Sequence, residues 1–224
     1  MAAFDIDKWL NEISAKVQMV FGSRVLFIGY HGSYRRHEAT ENSDVDMVVI
    51  LDKLNLEDLT EYRNIVASMP YSEKACGFIA GREELASWPK PDMFQLIFET
   101  QPVLGDLSSI VSPLSEEDIA AAVKNGAGNI YHAACHSFLY DKDLPSSLAV
   151  LYKIAFFVLQ AKYYLKSKRY ILTQKELASL LSGTDRQIVE GCLNRREFDK
   201  YDFLQIESLY KKLILWSADC LKED

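Results

Sequence analysis

Gly32-Ser33-Tyr34-Arg35-Arg36, followed by Ser43-Asp44-Val45-Asp46-Met47-Val48-Val49, is the stretch from which the rest of the chain can be read. The apolar segment before it, Val25-Leu26-Phe27-Ile28-Gly29-Tyr30, reads as a strand. Val45 to Leu51, rich in β-branched residues, reads as a second. The connection between them carries Gly32, Ser33, Asn42 and Ser43, residues of turns and caps. Side chains alternate across a strand, so Asp44 and Asp46 point to one face. Neighbouring carboxylates repel unless a cation lies between them, and a divalent metal with oxygen ligands relieves this. The Gly-Ser turn is the complement. Glycine lets the backbone approach a phosphate, and turn amides with the Ser33 hydroxyl offer donors to an anion. Together these features suggest metal-assisted phosphoryl or nucleotidyl transfer. Alone, a Gly-Ser turn is common and an Asp-x-Asp pair can be two solvated acids. Their order and spacing make the combination far more specific.

Gly-Ser followed by Asp-x-Asp on a strand resembles the DNA polymerase β-type nucleotidyltransferase superfamily. The small-molecule branch often shows Gly-Ser-x-Ala-Arg-Gly at the turn. Gly32, Ser33 and Arg36 match that pattern, Arg35 and His37 depart from it, and Ser43-Asp44-Val45-Asp46 matches fully. Glu83-Glu84-Leu85, Trp88-Pro89 and a helical second half resemble, more loosely, the kanamycin nucleotidyltransferase group. The resemblance implies that Asp44 and Asp46 are catalytic metal ligands holding one or two Mg²⁺ ions. It implies that Gly32 and Ser33 contact the β- and γ-phosphates of a nucleoside triphosphate, ATP by expectation, and that Arg36 assists. A solvated loop arginine is an equal alternative for Arg36. Ser43 reads as a turn cap.

The superfamily usually supplies a third carboxylate from a later strand, and the kanamycin-type pattern would put a glutamate close to Cys76. The strand in question, Lys74-Ala75-Cys76-Gly77-Phe78-Ile79, contains no acid. Glu73 and Glu99 are the nearest substitutes. The general base that deprotonates the acceptor comes, in the kanamycin group, from the helical half. Asp141 is the candidate, with His132 and His136 as alternatives. The two histidines share a helix face with Cys135 between them, but a zinc site lacks a visible third ligand. Lys153, Lys162 and Lys166 lie on one long helix. One of them facing a cleft could reach a phosphate, but solvated or snorkelling lysines are the better expectation for at least two.

The chain has 224 residues, half of them apolar and a quarter charged, an ordinary composition for one large or two small globular domains. A net charge of −7 argues against a nucleic-acid polymer as substrate and suits a cationic acceptor. The first residues show no signal peptide, and no charge-free apolar run reaches membrane-spanning length, so a cytoplasmic protein with no membrane partner is expected. The four scattered cysteines read as reduced thiols. A homodimer is compatible with the chain.

The alternating elements predict an α+β organisation: a mixed-sheet nucleotidyltransferase domain over residues 1–107, then a helical bundle over 108–224 that completes the acceptor cleft. Helices are expected after Asp5 or Asp7, after Asn55, Ser115, Pro145 and Thr173, and around 185–193 and 201–221. A third strand is expected near Lys74–Ala80. A fourth is expected at Phe94–Thr100, after which the chain leaves the sheet. The leading expectation is transfer of NMP, AMP for preference, to a hydroxyl of a small molecule such as an aminoglycoside, with release of pyrophosphate. Two alternatives stand beside it. A nucleotide-binding pseudoenzyme would bind nucleotide without turnover, and a toxin–antitoxin type protein adenylyltransferase would label a macromolecule.

Overall fold

A computed structural model describes residues 4–223, and the chain divides into two units. The first comprises Met1–Pro89 with Gln95–Pro113, and the second Lys90–Phe94 with Leu114–Asp224.

In the first unit, α1 (Ile6–Phe21) starts where the Asp5 carboxylate accepts from the Lys8 amide at 3.1 Å. It ends at Gly22, whose φ of 55° suits a residue without Cβ. Trp9, Leu10, Ile13, Val17 and Phe21 form its buried face, and Val20 is exposed. Next come β1 (Val25–His31), a single-turn α2 (Gly32–Arg35) and β2 (Val45–Leu51). An Asn55–Asp58 capping box opens α3 (Leu56–Ala67), which crosses over to β3 (Ala75–Gly81). Then follow α4 (Arg82–Ala86), α5 (Met93–Glu99) and β4 (Gln101–Leu104).

The sheet order is β3-β2-β1-β4. β1 is antiparallel to both neighbours, and β2 is parallel to β3. β2 is therefore central and buried along its length except at Asp46. Val45, Met47, Val49 and Leu51 pack with the buried face of α1 and with Ile65 and Met69. Each such fully buried side chain contributes roughly 1.5–3 kcal/mol. Arg24 fastens the far end of this layer. It donates to Asp58 at 2.7 and 2.8 Å, to Asp52 at 3.0 Å and to the Lys53 carbonyl at 2.9 Å, joining β1, β2 and the start of α3.

The run expected as a fourth strand is the helix α5, and the true fourth strand is Gln101–Leu104. A short apolar run does not distinguish helix from strand by periodicity alone. Pro91 is accommodated in the turn just before the helix, and Gln95 donates to Glu99 one helical turn later. Pro102 lies on the sheet's edge strand, where a missing amide is tolerated.

The second unit contains α6 (Glu116–Tyr140), α7 (Leu144–Ser167), α8 (Gln174–Leu180), α9 (Gly183–Asn194) and α10 (Phe203–Lys222). Capping boxes at Ser115 and Asp202 open α6 and α10, and Asp143 and Thr173 cap α7 and α8. α6 runs unbroken through Gly126, where a Cβ would meet Val158 Cγ2 of α7 at 2.6 Å. That glycine marks a close helix crossing. By length and composition α7 could span a membrane, but Tyr152, Ala155, Phe156 and Leu159 make it the core of this unit. Lys162 on α7 is buried and pairs with Asp185 at 3.1 Å and Glu223 at 2.8 Å. Burial alone would lower its pKa, but Glu223, Cys220 and Asp185 outweigh that and raise it. Lys153 and Lys166 are exposed, as expected for two of the three. All four cysteines are free thiols.

Two predictions follow from the first unit. Gly77 in β3 has φ 135°, and a Cβ there would lie 2.0 Å from the Met47 carbonyl oxygen. Gly77→Ala should therefore cost at least about 2 kcal/mol in urea unfolding. Hydrogen bonds from Arg24 hold the Asp58 carboxyl below its usual range. Its contribution to stability is present above the ordinary carboxylate pKa and is lost as pH falls through the lowered value. Asp58→Asn should lower Tm at pH 7 and shrink the loss of Tm between pH 7 and pH 3.

Candidate active site

Asp44 is the residue immediately before β2, and Asp46 is the second residue within it. The parallel register sets Asp46 beside Cys76 and Val45 beside Ala75. One carboxylate oxygen each from Asp44 and Asp46 and the Cys76 sulfur all lie within 4.8 Å of one another. Among the described residues this is the one grouping of three or more potential metal donors. Asp44 and Cys76 are exposed and Asp46 is half-buried, so the group faces solvent and is backed by the core.

Local structure holds the group in place. The loop before Asp44 is tied by Thr40 and Ser43: the Thr40 amide donates to Ser43 Oγ and the Ser43 amide to the Thr40 carbonyl, each at 2.9 Å. Ser43 is thus the turn residue expected. Lys74, just before β3, donates to the carbonyls of Glu41 and of Ser43, the latter at 3.2 Å, drawing this loop toward Cys76. On the other side Gly32 is buried with φ 75°, and a Cβ there would come within 1.9 Å of Asp46 Oδ2. The Asp46 carboxylate therefore rests on the bare Cα of the Gly-Ser turn. Only glycine satisfies both the backbone conformation and this approach.

The electrostatics are those of concentrated negative charge. Burial, then the charges of Asp46 and Asp44, push the Cys76 thiol up, and the thiol also donates to Asp44. Burial and Asp44 likewise raise the Tyr34 hydroxyl. Two carboxylates and a thiol at this separation suit a divalent cation.

The remaining candidates have different surroundings. Arg36 is neither a solvated loop residue nor open to one side. It is 6% exposed, with its Nε donating to Glu38 at 3.0 Å and its Nη1 to the fully buried Glu99. Glu99, a candidate third carboxylate, is committed to that pair and to Gln95. Glu73 is exposed in the single turn before β3 and does not join the metal-donor group. In the second unit Asp141 caps the C-terminus of α6 and accepts from Ser147 Oγ at 2.6 Å. His132 and His136 are exposed on α6 with ring centroids 6.2 Å apart. The donor that sequence reasoning left out is Cys76. The parallel pairing of β2 with β3 is the signal that identifies it, since it sets residue 76 beside Asp46.

Gly32→Ala offers a direct check on this geometry. Its Cβ would displace the Asp46 carboxylate, so Mn²⁺ affinity measured by calorimetry should fall by at least about tenfold. The far-ultraviolet circular dichroism should be unchanged.

Residues 6–91 match the family model described as a nucleotidyltransferase domain. Comparison with curated proteins finds no matching sequence. Among solved structures the chain is similar to spectinomycin adenyltransferase from Enterococcus faecialis, determined with ATP and spectinomycin. The identity is 14% and the TM-score 0.54, with 92% of this chain and 98% of the other covered. Both units thus have counterparts in a fold of known type. Gly-Ser and Asp-x-Asp thus meet within residues 6–91, the part of the chain that matches the nucleotidyltransferase-domain model.

Proposed function

We propose that the protein transfers a nucleoside monophosphate, AMP from ATP, to a hydroxyl group of a small cationic molecule and releases pyrophosphate. The observation that carries this reading is the contact between the Asp46 carboxylate and Gly32 within residues that match a nucleotidyltransferase domain, because it sets the Asp-x-Asp pair against the Gly-Ser turn. The solved relative was crystallised with ATP and an antibiotic, which supports ATP and a small-molecule acceptor. The net charge of −7 supports a cationic acceptor over a nucleic acid.

Asp44 and Asp46 would hold Mg²⁺, which when bound neutralises triphosphate charge and makes the α-phosphorus more electrophilic. Gly32 and Ser33 would orient the β- and γ-phosphates through backbone amides and a hydroxyl. Arg36, paired to Glu38 and Glu99, would brace that turn from behind and keep its shape. The acceptor oxygen attacks the α-phosphorus, the bond to the bridging oxygen of pyrophosphate breaks, and the hydroxyl proton passes to a base. Asp141 is proposed for that role.

A second reading has one observation in its favour. Cys76 stands where a third carboxylate would be expected, which fits a protein that binds nucleotide without turning it over.

Pyrophosphate release from each NTP, with a divalent cation and a panel of hydroxylated amines including spectinomycin, separates the two. Acceptor-dependent release that falls at least about a hundredfold in Asp46→Asn is expected. Nucleotide binding without release for any acceptor would favour the second reading. Absence of nucleotide binding would overturn both.

A further inference from the structure

We propose that Cys76 is the third protein ligand of the cation held by Asp44 and Asp46, biasing this site toward thiophilic divalent ions such as Zn²⁺, Co²⁺ or Cd²⁺ over Mg²⁺. The inference rests on the reading of Asp44 and Asp46 as cation ligands.

The placement is specific. The β2–β3 register puts Cys76 beside Asp46, and its sulfur shares a 4.8 Å neighbourhood with both carboxylates. Donors around one cation, with bonds of roughly 2.0–2.3 Å, lie at about such separations from one another. Constraints on each side hold residue 76 there. Lys74 ties the chain to the loop carbonyls before Asp44, and Gly77 brings β3 against the backbone of Met47.

The other candidate acids leave the position to Cys76. Glu99 is buried against Arg36, and Glu73 lies outside the donor group. The sulfur is exposed, so a cation can reach it from solvent together with water or phosphate oxygens.

Chemistry then decides the preference. On coordination the S–H bond breaks, its proton leaves to solvent, and a sulfur–metal bond forms. The thiolate carries one negative charge, as a carboxylate would, so the charge at the site matches that of a three-acid set. What changes is softness. Thiolate favours zinc-like ions, whereas Mg²⁺ demands hard oxygen donors in near-octahedral geometry.

The test uses the full chain with the metals alone. Affinities for Mg²⁺, Co²⁺ and Cd²⁺ are measured by calorimetry, and thiolate-to-metal charge transfer is followed by ultraviolet absorption. Wild type should show the charge-transfer band and bind Cd²⁺ at least about a hundredfold more tightly than Mg²⁺. Cys76→Ser should lose the band and cut that ratio at least about tenfold, with little change for Mg²⁺. Cys76→Glu should lose the band and move the ratio further toward Mg²⁺. A band that survives in Cys76→Ser, or a ratio unchanged in both variants, overturns the inference. Asp46→Asn separates the two levels. If it binds every ion as wild type does, the cation site itself is wrong. If it loses binding while the Cys76 variants keep the wild-type ratio, only the role of Cys76 falls.

Discussion

Like charge gathered at one strand end is the constraint on which the first unit depends. The carboxylates of Asp44 and Asp46 converge with the Cys76 thiol within 4.8 Å. Folding by itself does not favour this arrangement. It persists because the backbone beneath is over-determined: β2 is buried almost throughout, Gly32 and Gly77 allow contacts a side chain would prevent, and Lys74 and Arg24 tie down both ends. The sheet thereby holds two carboxylates and a thiol side by side.

How much of this the sequence showed depends on the range of the interactions involved. The strand–turn–strand core, α1, α3 and the five helices of the second unit are written in local signals: Asp5, Asn55, Ser115 and Thr173 as caps, Pro145 in the first turn of α7, and apolar residues at regular spacing. The convergence of Asp44 and Asp46 was legible for the same reason. Features set by distant partners were not. Whether Phe94-Gln95-Leu96-Ile97-Phe98 is helix or strand depends on its surroundings, and β4 is a strand only because β1 offers an edge to it. The burial of Arg36 requires Glu99, sixty-three positions away. Cys76 becomes part of the site only through its register with β2, which no local pattern encodes.

The second unit shows a contrasting use of charge. Lys162 is buried on an otherwise apolar face, but Asp185, Glu223 and the nearby Cys220 surround it, and Asp185 also accepts from Trp216 at 2.7 Å. Here opposite charges meet and the ion is satisfied internally. The arrangement links α7, α9 and the end of α10, and it has structural specificity without a chemical vacancy. The same residue types thus serve two ends, separated by whether the chain supplies its own counter-charge.

The sheet has two open edges, β3 and β4, and each departs from regular geometry. Gly77, at φ 135°, interrupts the extended path of one, and Pro102 removes an amide from the other. An unbroken edge is a template on which another chain can add a strand. The glycine that brings Cys76 toward the acids therefore also spoils the outer face of β3 as a surface for strand addition. A residue that permits close approach inward thus also disfavours growth of the sheet outward.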